Sequence, residues 1–301
     1  MLAGAMSVLE RRAIPDGLKA VVPELHRRLA KIEGDLAEPA TQSRIVASLD
    51  ELPEWRRFTA AEQPVGLRPL WLGPGLEIAR DDASARRLLV GLAGALFPGA
   101  VIPPYQVGGA VVTDVTARGG SAMSHSQNDL PAPPHTAGFF EPVPPMAVVF
   151  ACVRPHPGGG AETTVVDLER VLGAAAPEHV RLWERASYRY RTSARLGRSV
   201  HGFRALRRVR GMPFLRYRRE YTMEGGEGRE ALEALDRLVC ERANVLVFPL
   251  AHDEVLVHSN GAPHGRWPQL GPTPIDPGQR RLLLRCRVQP AAEWAELFSE
   301  G

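Results

Sequence analysis

Beyond Pro104, the apolar residues of the chain change from helical spacing to short runs of β-forming residues. Each run is four to eight residues long, and Gly, Pro or Asp bounds most of them, as is typical of strands joined by turns. The runs cover residues 109–115, 146–153, 163–166, 245–248, 254–258 and 281–288. We therefore predict an α+β chain whose core is a double-stranded β-helix, a jelly roll of the cupin type, with flanking helices.

Helical spacing is found in three parts of the sequence, at about residues 8–49, 84–96 and 229–242. Prolines break the first of these into pieces. We predict that residues 1–80 form a helical and extended support segment and that residues 81–301 form the jelly-roll domain. No internal repeat or low-complexity tract is present, so we expect one continuous structural unit.

Composition excludes several classes of protein. With 301 residues and 44% hydrophobic content, the chain can bury one sizeable core. It lacks the apolar run of about 18 residues that a membrane span needs, and it shows no signal-peptide pattern. The net charge of +3 is mild, and no dinucleotide, NTP, zincin or nucleic-acid-binding motif occurs. We therefore expect a cytoplasmic protein with no nucleic-acid or membrane partner.

Arginines are concentrated between Arg204 and Arg219, where seven of them occur. A solvated surface or a lid is the simpler interpretation of this segment. The alternative is that the segment meets an anionic substrate or carrier.

Two histidines and two arginines carry the pattern that points to chemistry. His135 stands in Pro-His-Thr-Ala-Gly and His264 in Asn-Gly-Ala-Pro-His-Gly-Arg, both turn-like settings. Neutral imidazole nitrogens suit a non-haem Fe(II) ion. Arg281 and Arg285 are four residues apart on a predicted strand, hence on one face, and a guanidinium can bind a carboxylate through two parallel hydrogen bonds. These residues predict an iron site beside a carboxylate-binding arginine.

From about residue 85 to residue 290, the chain resembles the TauD and clavaminate-synthase-like family of Fe(II)- and 2-oxoglutarate-dependent oxygenases. The resemblance depends on the order and spacing of several short pieces. They are Gly108-Gly109, Thr113-Asp114-Val115, residues 130–138, Pro144-Pro145, Arg154-Pro155, residues 158–167, residues 260–266 and residues 281–287.

The resemblance implies roles for individual residues. His135 and His264 match the two histidine ligands of iron, and Arg281 matches the arginine that pairs with the distal carboxylate of 2-oxoglutarate. Arg285 matches a second arginine near the cosubstrate, and Thr163, or Thr164 beside it, matches a hydroxyl donor to that carboxylate. The implied cofactors are Fe(II), 2-oxoglutarate and O2, and the implied reaction is oxidation of an unactivated C–H bond of a small molecule in secondary metabolism.

The remaining sequence features are less informative. His125, His156, His252 and His258 match no ligand position of the family, and we expect them to be structural or exposed. The segment between the two ligand histidines is polar and basic, which predicts an anionic substrate, free or tethered to a carrier.

Ala137 departs from the family pattern, which has Asp or Glu two residues after the first histidine. A methyl group cannot bind a metal. In the iron halogenases of this superfamily a small Ala or Gly replaces the carboxylate, and a halide takes the position. Loss of one anionic ligand leaves the site one unit more positive and opens room for chloride. Ala137 and Gly138 together leave such space, which favours chlorination over hydroxylation.

Three other accounts are open. Glu141 or Asp129 could supply the missing carboxylate, with ordinary hydroxylation or desaturation as the result. Two histidines with 2-oxoglutarate and water could also hold iron for oxygenation. Otherwise the chain is a non-catalytic binding protein that docks an acidic partner through its arginine-rich segment, or a variant disabled by an introduced alanine.

Overall fold

The computed structural model describes residues 11–62, 68–105, 109–116, 132–157, 162–185, 188–191, 200–209, 211–219, 222–223, 228–267, 276 and 279–290. Its helices are α1 (Asp16–Ala30), α2 (Pro39–Asp50), α3 (Pro53–Ala61), α4 (Asp82–Leu96), α5 (Leu168–Ala174), α6 (Pro177–Arg185) and α7 (Arg229–Cys240). Within these described ranges, no helix has the length and apolar character that crossing a membrane requires.

The strands follow in chain order. They are β1 (Leu70–Leu72), β2 (Thr113–Val115), β3 (Ala132–His135), β4 (Ala147–Arg154), β5 (Glu162–Val166), β6 (Tyr188–Arg191), β7 (Val200–Phe203), β8 (Leu206–Val209), β9 (Met212–Leu215), β10 (Thr222–Met223), β11 (Val245–Phe248), β12 (Val255–Ser259), β13 (His264–Trp267) and β14 (Leu282–Val288).

Two antiparallel sheets form the core. The large sheet has the strand order β1-β12-β4-β14-β2, and the small sheet has the order β11-β5-β13-β3. Strands far apart in sequence are therefore neighbours, as in β4 and β12. A third sheet, β10-β6-β7, and the hairpin β8-β9 come from the chain between β5 and α7. The predicted α+β jelly roll with flanking helices is confirmed.

Alternation along β4 explains how the large sheet is buried on both faces. Ala147, Val149 and Ala151 join the cluster formed with helices α1 to α4. Val148 and Phe150, together with Cys152, point to the other face and pack against residues of the small sheet. A strand with period-two alternation and apolar residues on both faces is expected where helices cover one face and a second sheet covers the other.

The N-terminal segment is tied directly to the jelly roll. Strand β1 is the edge strand of the large sheet and pairs with β12 from Leu70 to Leu72. Helix α4 begins at an N-cap in which Asp81 accepts a hydrogen bond from the Ser84 amide at 2.7 Å. Its Leu88 and Leu92 pack in the same cluster as Val149 of the large sheet.

All six runs predicted as strands overlap strands of the structure, and β11 has the predicted bounds. Residues 8–49, 84–96 and 229–242 contain α1 with α2, α4 and α7, as predicted. Strands β3 and β13 differ from the prediction, since both histidine motifs were expected to lie in turns.

Candidate active site

His135 and His264 are cross-strand partners in the small sheet, on β3 and β13. Their ring centroids are 4.6 Å apart. Gly265 lets the two strands come close, because a Cβ at this position would lie 2.5 Å from the carbonyl oxygen of Ala132. The glycine after the second histidine therefore helps to place that histidine beside the first.

The surroundings of the two rings set the tautomer of His135 and the charge of His264. The Nδ1 of His135 lies 3.0 Å from the carbonyl oxygen of Pro133 and donates to it, which puts the lone pair on Nε2. His264 is buried, and burial, followed by the nearby His135 and His258, lowers its pKa well below the ordinary value. The neutral form is the one that binds a metal ion.

Arg281 and Thr163 are in direct contact. Arg281 Nη2 donates to Thr163 Oγ1 at 3.1 Å, so Thr163 rather than Thr164 makes this contact. Burial, then the neighbouring Arg266, lowers the pKa of Arg281 to about 10, and the side chain is still a cation at neutral pH. In the described part of the chain, no carboxylate forms an ion pair with it. A buried cation without an anionic partner is costly, so this position favours an anion that comes from outside.

Arg285 is on β14, four residues after Arg281, which directly precedes that strand. Its guanidinium carbon is 5.3 Å from the centre of the Tyr105 ring, and that of Arg287 is 4.7 Å from the same ring. Its Nε donates to Thr113 Oγ1 at 3.3 Å. Stacking on an aromatic face fixes the direction of a guanidinium and compensates part of its lost hydration.

Five of the six predicted site residues line one cavity, together with apolar side chains of both sheets. The predicted residues are His135, Thr163, His264, Arg281 and Arg285, and the apolar neighbours include Val115, Phe150 and Leu283. The arrangement fits a metal ion held by two imidazoles, with a cationic pocket for a carboxylate beside it.

Ala137, the sixth, is buried in the apolar cluster between the sheets. Asn260 forms hydrogen bonds with both the backbone amide and the backbone carbonyl of Ala137. The Ala137 amide donates to Asn260 Oδ1 at 2.8 Å, and Asn260 Nδ2 donates to the carbonyl oxygens of Ala137 and Pro145, each at 2.8 Å. Because Asn260 is four residues before His264 and Ala137 is two after His135, this clamp joins the two histidine segments.

The described residues offer no third protein ligand. No group of three His, Cys, Asp or Glu side chains among them is arranged to hold a metal ion. Glu141, one proposed substitute, instead accepts from Arg287 Nη1 at 2.6 Å and from Gln289 Nε2 at 3.0 Å. Asp129, the other, lies outside the described residues.

The arginine-rich segment is only partly a solvated surface. Arg208 and Arg219 are exposed and form ion pairs with Glu184 and Asp236. Arg216, by contrast, is buried and donates to the carbonyl oxygens of Phe139 and Glu141. The expectation of a solvated segment is therefore wrong at this position, where an arginine acts as a core hydrogen-bond donor.

Arg218 of the same segment reaches the histidine pair. Its backbone forms an isolated bridge with His135, and its side chain is half-buried.

Three residues around the site were not identified as site residues from the sequence: Tyr105, His258 and Asn260. His258 is buried, and its ring centroid is 4.8 Å from that of His264. The sequence could have indicated this position, because β12 alternates and places His258 on the same face as Leu256.

The site thus combines two adjacent imidazoles with a buried arginine that has no carboxylate within ion-pair distance among the described residues. The model of the taurine catabolism dioxygenase TauD, TfdA family matches residues 39–287. Because the match spans most of the chain, the chain belongs to this family. The resemblance predicted from the sequence is confirmed, and the chain is of an enzyme class that uses Fe(II), 2-oxoglutarate and O2.

Solved structures show the same fold. A complex of asparagine oxygenase with Fe(II), 2S,3S-3-hydroxyasparagine and succinate is 23% identical, with a TM-score of 0.76 and coverage of 92% of both chains. A structure of asparagine oxygenase is 21% identical, with a TM-score of 0.77 and the same coverage. The non-haem iron oxygenase OrfP with Fe and alpha-ketoglutaric acid is 20% identical, with a TM-score of 0.71 and coverage of 93% of both chains. Comparison with curated protein sequences gives no match.

Proposed function

We propose that this protein oxidises an unactivated C–H bond of a small molecule, with His135 and His264 as the iron ligands. Arg281 and Thr163 bind the distal carboxylate of 2-oxoglutarate in this proposal. The observation that carries it is the cavity in which both histidines lie beside a buried arginine without a carboxylate partner among the described residues. Related folds are known with iron and the matching ligands, namely asparagine oxygenase with succinate and OrfP with alpha-ketoglutaric acid.

The side chains of the site would bind and orient the metal ion and the cosubstrate, and they would not themselves react. Pro133 fixes the tautomer of His135, so that Nε2 is the nitrogen available to a metal ion. Arg281 would retain its contact with the Thr163 hydroxyl and add a charge-assisted pair with the carboxylate through its other N–H groups. Val115, Phe150 and Leu283 limit the water that reaches the site. When bound, Fe(II) with 2-oxoglutarate and O2 supplies C–H oxidation coupled to decarboxylation of the cosubstrate.

We infer further that the reaction is halogenation. Ala137 provides no ligand, Glu141 is engaged by Arg287, and the described residues contain no other candidate carboxylate. Arg285 and Arg218 are close enough to His264 to contribute to its lowered pKa, after burial and the neighbouring histidines. A site that has cations and, among the described residues, no carboxylate would favour an exogenous anion on the metal.

The balanced reaction joins R–H, chloride, one proton, 2-oxoglutarate and O2 to give R–Cl, succinate, CO2 and water. The C–H bond is broken and a C–Cl bond forms. One oxygen atom of O2 enters succinate and the other leaves as water, whereas in hydroxylation the second atom enters the product.

The substrate is proposed to carry a carboxylate or phosphate group. Arg218 supports this, because its backbone bridges to His135 and its half-buried side chain lies near the histidine pair. A guanidinium close to the histidine pair would fix an anionic substrate relative to the metal. The same contact would serve a free acid or a phosphate-bearing carrier arm.

The test is anaerobic addition of Fe(II) and 2-oxoglutarate to the purified protein, with and without chloride. We expect a weak visible metal-to-ligand charge-transfer band that shifts with chloride. A band indifferent to chloride, with 18O from O2 recovered in a hydroxylated product, would retain the iron enzyme and overturn halogenation. Absence of any band, with Fe(II) shown not to bind, would overturn both. His264→Gln should abolish the band, and His252→Ala, at an exposed histidine, should leave it unchanged.

A further inference from the structure

A third histidine, His258, lies under the site and has no role in the proposed reaction. It is on β12, is 1% exposed, and stacks on Phe150 with ring centroids 5.9 Å apart. Its ring centroid is 4.8 Å from that of His264, with the planes at 61°. Two buried nitrogens, Nε2 of His258 and Nδ1 of His264, have no hydrogen-bond partner among the described residues. Such nitrogens are rarely left unpaired in folded proteins, so two of them on adjacent rings call for an explanation.

The tautomers of the two rings are complementary. Nδ1 of His258 lies 2.9 Å from the carbonyl oxygen of Ser259, and since a carbonyl only accepts, this nitrogen carries the proton. In the neutral ring, Nε2 is then an acceptor. If His264 binds a metal ion through Nε2, its Nδ1 must carry a proton and needs an acceptor.

His258 is not itself arranged as a third ligand. The ring of His264 contacts those of both His135 and His258, at centroid distances of 4.6 Å and 4.8 Å, whereas no ring contact joins His135 to His258 among the described residues. Within the described ranges, no three metal-binding side chains converge on one point. The lone pair of His258 therefore serves a neighbour of the metal better than the metal.

We propose that His258 is a positioning residue whose Nε2 accepts a hydrogen bond from the Nδ1–H of His264. The ring centroids are 4.8 Å apart, and in the proposed arrangement the two nitrogens approach to a hydrogen-bond distance of about 3 Å. The bond selects the His264 tautomer with its lone pair on Nε2, fixes the ring orientation and raises its basicity. This inference rests on the proposed function only in taking His264 as a metal ligand.

The first test uses the metal-free protein and does not depend on activity. Long-range 1H–15N correlation of the imidazoles reports which nitrogen of each ring is protonated. We expect His258 and His264 both as Nδ1–H tautomers, with the His264 proton shifted downfield by its hydrogen bond. His264 found as the Nε2–H tautomer would overturn the proposal, even if His258→Leu could not be folded.

The second test is Fe(II) affinity under anaerobic conditions in three proteins: wild type, His258→Leu and His258→Gln. Leucine removes the acceptor at similar volume, whereas the glutamine amide can offer an oxygen near the original Nε2. We expect Fe(II) binding about 10- to 100-fold weaker in His258→Leu, and recovery of most of this loss in His258→Gln.

These experiments distinguish the role of His258 from the existence of the iron site. Equal affinity of wild type and His258→Leu, with both proteins folded by circular dichroism, would overturn the role of His258 and leave the iron site intact. Failure of the wild type to bind Fe(II) would overturn the proposed function instead, and the tautomers of the metal-free protein would still decide the contact between the two rings.

Discussion

Arg281, which directly precedes strand β14 of the large sheet, donates a hydrogen bond to Thr163 on the small sheet at 3.1 Å. The two residues are 118 positions apart in sequence. Both are buried, and the described residues provide no carboxylate to pair with Arg281. A neutral hydroxyl satisfies one N–H of the guanidinium but not its charge, and in the proposed function a carboxylate of 2-oxoglutarate compensates that charge.

Replacement of Arg281 tests whether this residue binds the carboxylate of 2-oxoglutarate. Arg281→Gln should weaken 2-oxoglutarate binding roughly 10- to 150-fold, which corresponds to the loss of about 1.5–3 kcal/mol of charge-assisted hydrogen bonding. The anaerobic charge-transfer titration measures it. Stability of the metal-free protein should not fall, because the substitution removes an unpaired buried cation. Arg57→Gln, at a largely exposed side chain, is the matched control. Unchanged 2-oxoglutarate affinity in Arg281→Gln would assign the carboxylate to another residue.

Restoring a carboxylate at position 137 tests the halide proposal. Ala137→Asp should make the charge-transfer band insensitive to chloride and direct turnover to hydroxylated product, because an aspartate would fill the position left to the halide. Ala137→Gly, which keeps that space, should retain chloride sensitivity. Product mass and 18O content measure the change. If Ala137→Asp still gives a chlorinated product, the halide does not occupy the position beside residue 137.

Much of this site could be predicted from the sequence, because its residues lie in motifs with a fixed local geometry. Arg281 and Arg285 are four residues apart on a strand and so share a face. His264 precedes a glycine that the close approach to Ala132 requires. These are short-range relationships, and the order of the motifs along the chain supplied the rest.

The parts that could not be predicted depend on contacts between distant segments. Glu141 was a reasonable substitute ligand by its distance in sequence from His135, but its carboxylate is held by Arg287, 146 positions away. Arg216 belongs to a charged run, yet the carbonyl oxygens of Phe139 and Glu141 allow it to be buried. No local pattern shows that such partners exist, since they come from the packing of the two sheets.

The buried histidines predict how stability depends on pH. Burial lowers the pKa of His258 to about 4 and that of His264 well below its ordinary value. Below about pH 6.5 the unfolded chain takes up protons that the folded chain does not, so stability falls as pH falls, with His258 contributing about 3 kcal/mol by pH 4. Urea unfolding of the metal-free protein between pH 7.5 and pH 4.5 measures this slope.

His258→Leu should make that slope shallower, because the proton uptake of the unfolded state at this position is removed. The matched control is His252→Leu, an exposed histidine that should leave the slope as it is in the wild type. Identical slopes for wild type and His258→Leu would contradict the assignment of this pH dependence to His258.

The ion pair between Glu141 and Arg287 predicts a structural role for Glu141 that can be distinguished from metal binding. Glu141 and Arg287 are both buried and form an ion pair at 2.6 Å. Glu141→Gln and Arg287→Met should each lower the free energy of unfolding by about 3–5 kcal/mol, because each leaves the charge of the other residue buried without its partner. The double variant Glu141→Leu with Arg287→Met should recover most of this loss. Fe(II) affinity, measured where each variant is folded, should be the same in both single variants. A selective loss of Fe(II) binding in Glu141→Gln would instead make this carboxylate the substitute for the one that Ala137 lacks.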